Sequence, residues 1–245
     1  MDGVALCARF SLATNRLQFC GPQEAAPILY AVITEGRGLS EARALLSRFE
    51  ALHPYLEAIA SRHGLDPFDE RVVEAYWIGN ALLDGFGPAE FREILGALTR
   101  RGLSGRAARR LREHLPAHPL PHHAFHVFFV GVGEVTGHVP TTVGNMGSCR
   151  IARGEVVGVE GTALTLRVRP LEHQGDRLLI GAEVLRHLPY DSAILPGVRP
   201  GSQVALHWDH PAMLLDPEQA EALDRCTELS LRAANDALPG LRALG

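Results

Sequence analysis

The sequence predicts an α+β fold. A helical N-terminal domain spans residues 1–117, and a small OB-like β-barrel closed by a C-terminal helix spans residues 122–245. Three observations carry this. Apolar residues recur at three-and-four spacing up to Leu115, the mark of helices with one buried face. Pro116, Pro119 and Pro121 then forbid a continuous helix, since each removes a donor and clashes with the turn before it. Beyond them Val, Gly, Phe and Thr dominate short, closely spaced runs, the pattern of a small barrel, until a helix signal returns at Asp216.

The elements follow in order. "SEARALLSRFEALHPYLEAIASRHG" carries Ala42, Leu45, Leu46, Phe49 and Leu52 as one stripe, with Ser40 as cap, Gly64 as stop and Pro54 as a kink or split. "DPFDERVVEAYWIGNALL" opens with Asp66 as N-cap, Pro67 at the first helical position and Asp69 facing the helix dipole. "GPAEFREILGALTR" repeats the proline start and puts Phe91, Ile94, Leu95 and Leu98 on one face, and "SGRAARRLREHL" is a shorter helix. "AFHVFFVGV" reads as a strand by length and residue type. "GEVVGVEGTALTLRVRPL" reads as a hairpin turning at Gly161, with Leu164, Leu166 and Val168 alternating. "DRLLIGAEV" and "SQVALHW" are further strands, the second after a Pro200–Gly201 turn. Asp216, Pro217 and Gln219 form a capping-box start to a helix reaching about Asn235.

Composition excludes several classes. With 46% hydrophobic and 21% charged residues, the chain has the make-up of a globular protein. A net charge of −4 supplies no global field toward nucleic acid or anionic lipid. No lysine occurs, so every basic contact falls to a guanidinium. Cys7, Cys20, Cys149 and Cys226 form no C-x-x-C and do not resemble a secreted disulfide framework. "MDGVALCARFSLATN" lacks the form of a signal peptide, and no apolar run reaches the roughly 20 residues of a membrane span. A reduced, cytoplasmic protein is expected. No G-x-S-x-G, H-E-x-x-H, Walker or EF-hand motif occurs. "GVGEVTG" imitates a dinucleotide fingerprint, but "HVPTTVGNMG" follows where a phosphate-binding helix must start.

Three sets of side chains are candidates. On a strand, His122 and His126 share a face while His123 and Phe125 take the other; the pair is either a transition-metal donor set or two histidines bonded to backbone at the domain junction. Arg100, Arg101, Arg106, Arg109, Arg110 and Arg112 crowd one region. They form either a solvated helix face or a dock for an acidic partner, and the acidic chain disfavours nucleic acid. On "SQVALHW", Val204, Leu206 and Trp208 face a barrel core, which lifts His207 out of it. Cys149 lies in Gly-rich chain before its own strand. The plain alternative is a buried thiol and a hydrogen-bonded imidazole.

From Cys149 to about Asn235 the chain resembles the HypC/HupF type of nickel–iron hydrogenase maturation chaperone. The resemblance rests on "CRIARGEVVGVEGTALTLRV", then "VRPGSQVALHWDHPAML", then "LDPEQAEALDRC", about a third of the chain. It implies a small barrel with a following helix. It further implies that Cys149 and His207 hold an iron carrying cyanide and carbon monoxide, which passes to the precursor of the hydrogenase large subunit among other maturation proteins. The family's cysteine is N-terminal where Cys149 is internal, and "HWDHPAM" replaces its usual Gly-Phe-Ala. The whole chain, including "EAYWIGN" and "PHHAFHVF", is also similar to an uncharacterised actinobacterial family associated with hydrogenase gene clusters. The resemblance makes a non-enzymatic chaperone the expected function; apart from the resemblance, His122 and His126 are expected at the same mouth as added donors. The alternatives are a metalloenzyme using His122, His123 and His126, and a metal-free interaction module using the arginine-rich helix.

Overall fold

The computed structural model describes residues 1–237; residues 238–245, the end of the expected second domain, lie outside the described residues. Helix α1, Gly3–Arg16, starts where the Asp2 carboxylate accepts from the Val4 and Ala5 amides. Most of it is buried, on every side. It therefore shows no apolar stripe, and neither it nor α2, Ala25–Glu35, is announced by periodicity. The long stripe of residues 40–64 divides into α3, Leu39–Leu46, and α4, His53–His63, with Pro54 in the first turn of α4. Gly64, at φ 64°, ends α4 as expected, but Gly38 and not Ser40 stands at the head of α3. Helix α5, Glu70–Trp77, begins later than expected: Asp69 is its cap, while Asp66 caps the turn before it through the Phe68 amide. A short 3-10 turn, Ala81–Leu83, leads to α6, Pro88–Thr99, and α7, Gly105–Glu113. Phe91, Ile94, Leu95 and Leu98 are all buried, as their spacing requires.

The expected strand "AFHVFFVGV" is helical. Helix α8, His123–Phe125, runs on as a π-helix over His126–Gly131, and every residue of this stretch is buried. A run sealed on all sides has no period to read, so its β-type composition misleads. Helix α9, Val143–Cys149, capped by the Thr142 hydroxyl, brings Cys149 to a helix end, not to open Gly-rich chain.

The hairpin forms as expected from β1, Ala152–Glu160, and β2, Ala163–Val168, around Gly161 at φ 59°. A separate two-stranded sheet joins β3, Leu171–Gln174, to β4, Arg177–Ile180. "DRLLIGAEV" is thus split, part in β4 and part in β5, Val184–Pro189. Strand β6, Gln203–His207, turns into β7, His210–Leu215. The main sheet is antiparallel in the order β5-β2-β1-β6-β7, and among the described residues no pairing joins β5 to β7. Helix α10, Pro217–Ala237, starts with a reciprocal cap: Gln219 N–H donates to Asp216 Oδ1 at 2.9 Å and Asp216 N–H to Gln219 Oε1 at 3.2 Å.

Among the described residues two apolar clusters organise the fold. One lies within the sheet, where Val156, Leu164, Leu166, Val204 and Leu206 meet. The larger one joins Phe10, Tyr55, Tyr76 and Phe125 of the helical half to Cys149, Ala205 and Met213. Strand β6 is buried on both faces: Val204 and Leu206 face the sheet cluster, Ala205 the helical one.

Candidate metal centre

His207 shares the Ala205 face of β6. The alternation along this strand is as expected, but the face it gives His207 is covered by helices. His207 is 1% exposed, so the expected lift into the open does not occur. Cys149, at the C-terminal end of α9, is 9% exposed. A 2.7 Å backbone bond from Trp208 N–H to the Ser148 carbonyl ties the end of β6 to the end of α9. Cys149 Sγ then lies 4.0 Å from His207 Nε2 and 3.8 Å from His123 Nε2. The three donor atoms all fall within 4.8 Å of one another. Bonds of roughly 2.3 Å to sulfur and 2.05 Å to nitrogen put such donors about 3.3–3.6 Å apart, so a transition metal fits after a small contraction. Behind the donors lies a cavity of about 60 Å³ whose walls include Phe19, Phe49, Trp77, Val135 and Trp208. Three ligands leave a further position on the metal, and the cavity has room for small groups there.

Hydrogen bonding fixes the protons. A carbonyl only accepts, so His207 Nδ1–H donates to the Phe10 carbonyl at 2.7 Å, and the Nε2 lone pair is left toward the thiol. His123 Nε2–H donates to the Cys149 carbonyl at 2.8 Å, so Nδ1 accepts from the Tyr76 hydroxyl at 3.1 Å. Burial keeps both rings neutral: it lowers His207 to about 4 and His123 well below the ordinary imidazole value. Burial also raises the Cys149 thiol, the Cys20 thiol adds to this, and the Trp208 indole opposes it. Metal-free, the site is thus a neutral thiol between neutral imidazoles, and metal capture must release the sulfur proton. Trp208 and Asp209, the two residues between β6 and β7, both have positive φ, at 52° and 59°. A bulky residue in this region is strained, and such strain persists where surroundings over-determine it. Here the Trp208 ring packs 4.6 Å from the Phe19 ring, and its buried indole N–H has no hydrogen-bond partner other than the Cys149 thiol.

The structure thus brings Cys149 and His207 together and joins His123 to them. His126 lines the same cavity but bonds to the Tyr55 hydroxyl at 3.0 Å, outside the three-donor group. His122 caps α8, its Nδ1 accepting from Ala124 N–H at 3.1 Å, and it does not line the cavity. The expected shared face of His122 and His126 vanishes with the strand that required it. Sequence reasoning put His123 on the wrong face for the same reason. On α7, Arg106, Arg109, Arg110 and Arg112 are exposed and, among the described residues, form no ion pair. Among the described residues no helix is long and apolar enough to cross a membrane.

Comparison with known families finds one match: a model described as a family of unknown function, DUF6390, covers residues 1–240. No curated protein and no solved structure matches the chain.

Proposed function

The chain belongs to the DUF6390 family, and we propose that it is a carrier of a transition-metal group, acting as a cytoplasmic maturation chaperone of a nickel–iron hydrogenase. The observation that carries the metal part is the meeting of Cys149, His207 and His123 from three separate elements at one small cavity. A soft thiolate with neutral imidazoles suits iron, copper or zinc alike, and an incomplete donor set suits a group that must be released. Iron bearing cyanide and carbonyl ligands, a hydrogenase large subunit as recipient, and a closed OB-like barrel all come from the resemblance of residues 149–235 and belong to the proposal. In this reading the five-stranded sheet and α10 are the chaperone unit. The chain's own residues would do three things: Cys149 gives up a proton to become a thiolate, His207 is held to its donor tautomer by Phe10, and the apolar walls limit water.

The test is metal analysis and infrared spectroscopy of protein coproduced with a hydrogenase maturation system and purified without oxygen. Wild type is expected to carry about one metal per chain with cyanide and carbonyl stretches. Cys149→Ala and His207→Ala are expected to lose both while keeping a native circular-dichroism spectrum. Metal retained in full by both variants overturns the site. Metal bound at Cys149 and His207 without cyanide or carbonyl stretches overturns the hydrogenase reading and leaves the metal site standing.

A further inference from the structure

A polar cavity apart from the metal site is lined in part by Arg150, the residue after Cys149. It measures about 80 Å³ and is lined by Arg150, Arg153, Arg167 and Arg169, with the acids Glu155, Glu183, Asp224 and Glu228 around them. The charges do not pair off evenly. Arg153 meets Asp224 at 2.8 Å, and Arg167 meets Glu155 at 2.9 Å and Glu183 at 3.6 Å. Arg169 donates only to backbone, to the Gly181 carbonyl at 3.1 Å and the Ile180 carbonyl at 3.4 Å. Arg150 is 5% exposed, donates from Nη2 to the Arg169 carbonyl, and leaves its Nε–H buried without an acceptor. Among the described residues neither Arg150 nor Arg169 forms a direct ion pair; Asp224, engaged with Arg153, acts on Arg150 from a greater distance, and Glu228 is exposed.

A buried guanidinium with no direct ion-pair partner is costly, and it is usually paired or satisfied by several acceptors. We infer that Arg150 and Arg169 form a binding site for a small tetrahedral oxyanion of phosphate or sulfate type. The guanidinium fork suits such an anion, presenting parallel N–H donors to two oxygens. The hydroxyl of Thr227, also on the cavity wall and buried, can add a donor. Size allows it: about 80 Å³ is several times the roughly 10–15 Å³ that admits a single water, so the cavity has room for a small group. The exposed arginines of α7 offer no comparable enclosure, since they stand in solvent.

The site needs no metal, so it is tested on metal-free, full-length protein, and its failure leaves the metal reading untouched. Inorganic phosphate and sulfate are titrated against chloride at matched ionic strength, by calorimetry and by thermal unfolding. Saturable binding of about one oxyanion per chain is expected, with a rise in Tm that chloride does not give. Arg150→Gln and Arg169→Gln are each expected to weaken binding at least tenfold, while the double variant Arg109→Gln/Arg110→Gln retains it. If Arg150→Gln does not fold, the exposed Arg169 carries the test alone. Equal effects of phosphate and chloride overturn the inference. So does binding that survives in the Arg169→Gln variant, or binding lost in the α7 double variant.

Discussion

His123 approaches the thiol with both ring nitrogens already engaged, and this sets the condition for its use as a ligand. Its Nε2 proton, now given to the Cys149 carbonyl, must leave before that nitrogen can meet a metal. The ring stays neutral if the proton moves to Nδ1, because the Tyr76 oxygen can turn from donor to acceptor there. Tyr76→Phe removes that acceptor and leaves a buried Nδ1–H unsatisfied in the loaded state. Metal affinity is expected to fall about 10–100-fold, the usual effect of losing an outer partner. Cobalt(II) titration, followed by its thiolate charge-transfer band, measures this, and an unchanged affinity would remove His123 from the ligand set. His207 needs no such rearrangement, since the Phe10 carbonyl holds its proton away from the sulfur. The difference bears on what the chain disclosed at this scale. Cys149 and His207 stood out through the residues around them, which resemble a chaperone motif. His123 carried no such context: within "PHHAFHVF" only the choice between strand and helix decides which imidazole faces the thiol, and composition favoured the wrong choice.

Helix α1 is the element that holds this geometry from behind. It packs against β6 and β7, its Phe10 carbonyl fixes His207, and the Phe10 ring stacks on Trp77 at 5.1 Å. Its start depends on one side chain, Asp2, which accepts from Val4 N–H at 2.8 Å and Ala5 N–H at 3.2 Å. Asp2→Ala is therefore expected to cost about 1 kcal/mol, the usual worth of an N-cap. Urea unfolding should show this as a lower midpoint with an unchanged slope; a variant as stable as wild type would mean that α1 is held by packing alone. Elements were legible in proportion to their contact with water or to the strength of their punctuation. The β1–β2 hairpin announced itself by a glycine turn and by alternation, with Leu164 and Leu166 inward and Thr165 between them. Helix α10 announced itself by its capping box, and α6 by its proline and one-sided stripe. Helix α1 and the α8 π-segment are wrapped in other elements, so they lack a polar face to mark the period. Short β3 and β7 were missed because neither has a clear alternation of buried and exposed residues.

For the whole molecule, the shared apolar cluster means that imidazoles from both halves are sealed in one interior, and this sets how the fold responds to acid. His122, His126 and His207 are each lowered from 6.5 to about 4, in every case chiefly by burial, and His123 is pushed down in the same direction. In the unfolded chain these rings titrate near 6.5. Between pH 6.5 and 4 the unfolded state therefore binds protons that the folded state refuses. Stability is full above pH 6.5 and falls as the pH drops through that window. Each ring contributes about 1.4 kcal/mol of loss between pH 7.5 and 5.5, or about 4 kcal/mol for the three. That is a large share of the roughly 5–15 kcal/mol that holds a domain together. The exposed carboxylates lowered by arginine partners or backbone donors, such as Asp66 beside Arg43 and Glu90 at the head of α6, lose their contribution only in more acidic solution. They leave the interval from pH 7.5 to 5.5 to the histidines. Urea unfolding of metal-free protein at pH 7.5 and 5.5 checks the prediction, and a difference below about 1 kcal/mol would mean that the buried rings accept protons in the folded state. A metal at this site would occupy lone pairs of His207 and His123, rings that burial already keeps neutral, so the proton it has to displace from the folded site is that of the Cys149 thiol. Loaded protein should therefore show its stabilisation by metal over a pH range set by the thiol of Cys149, whose proton the metal has to displace.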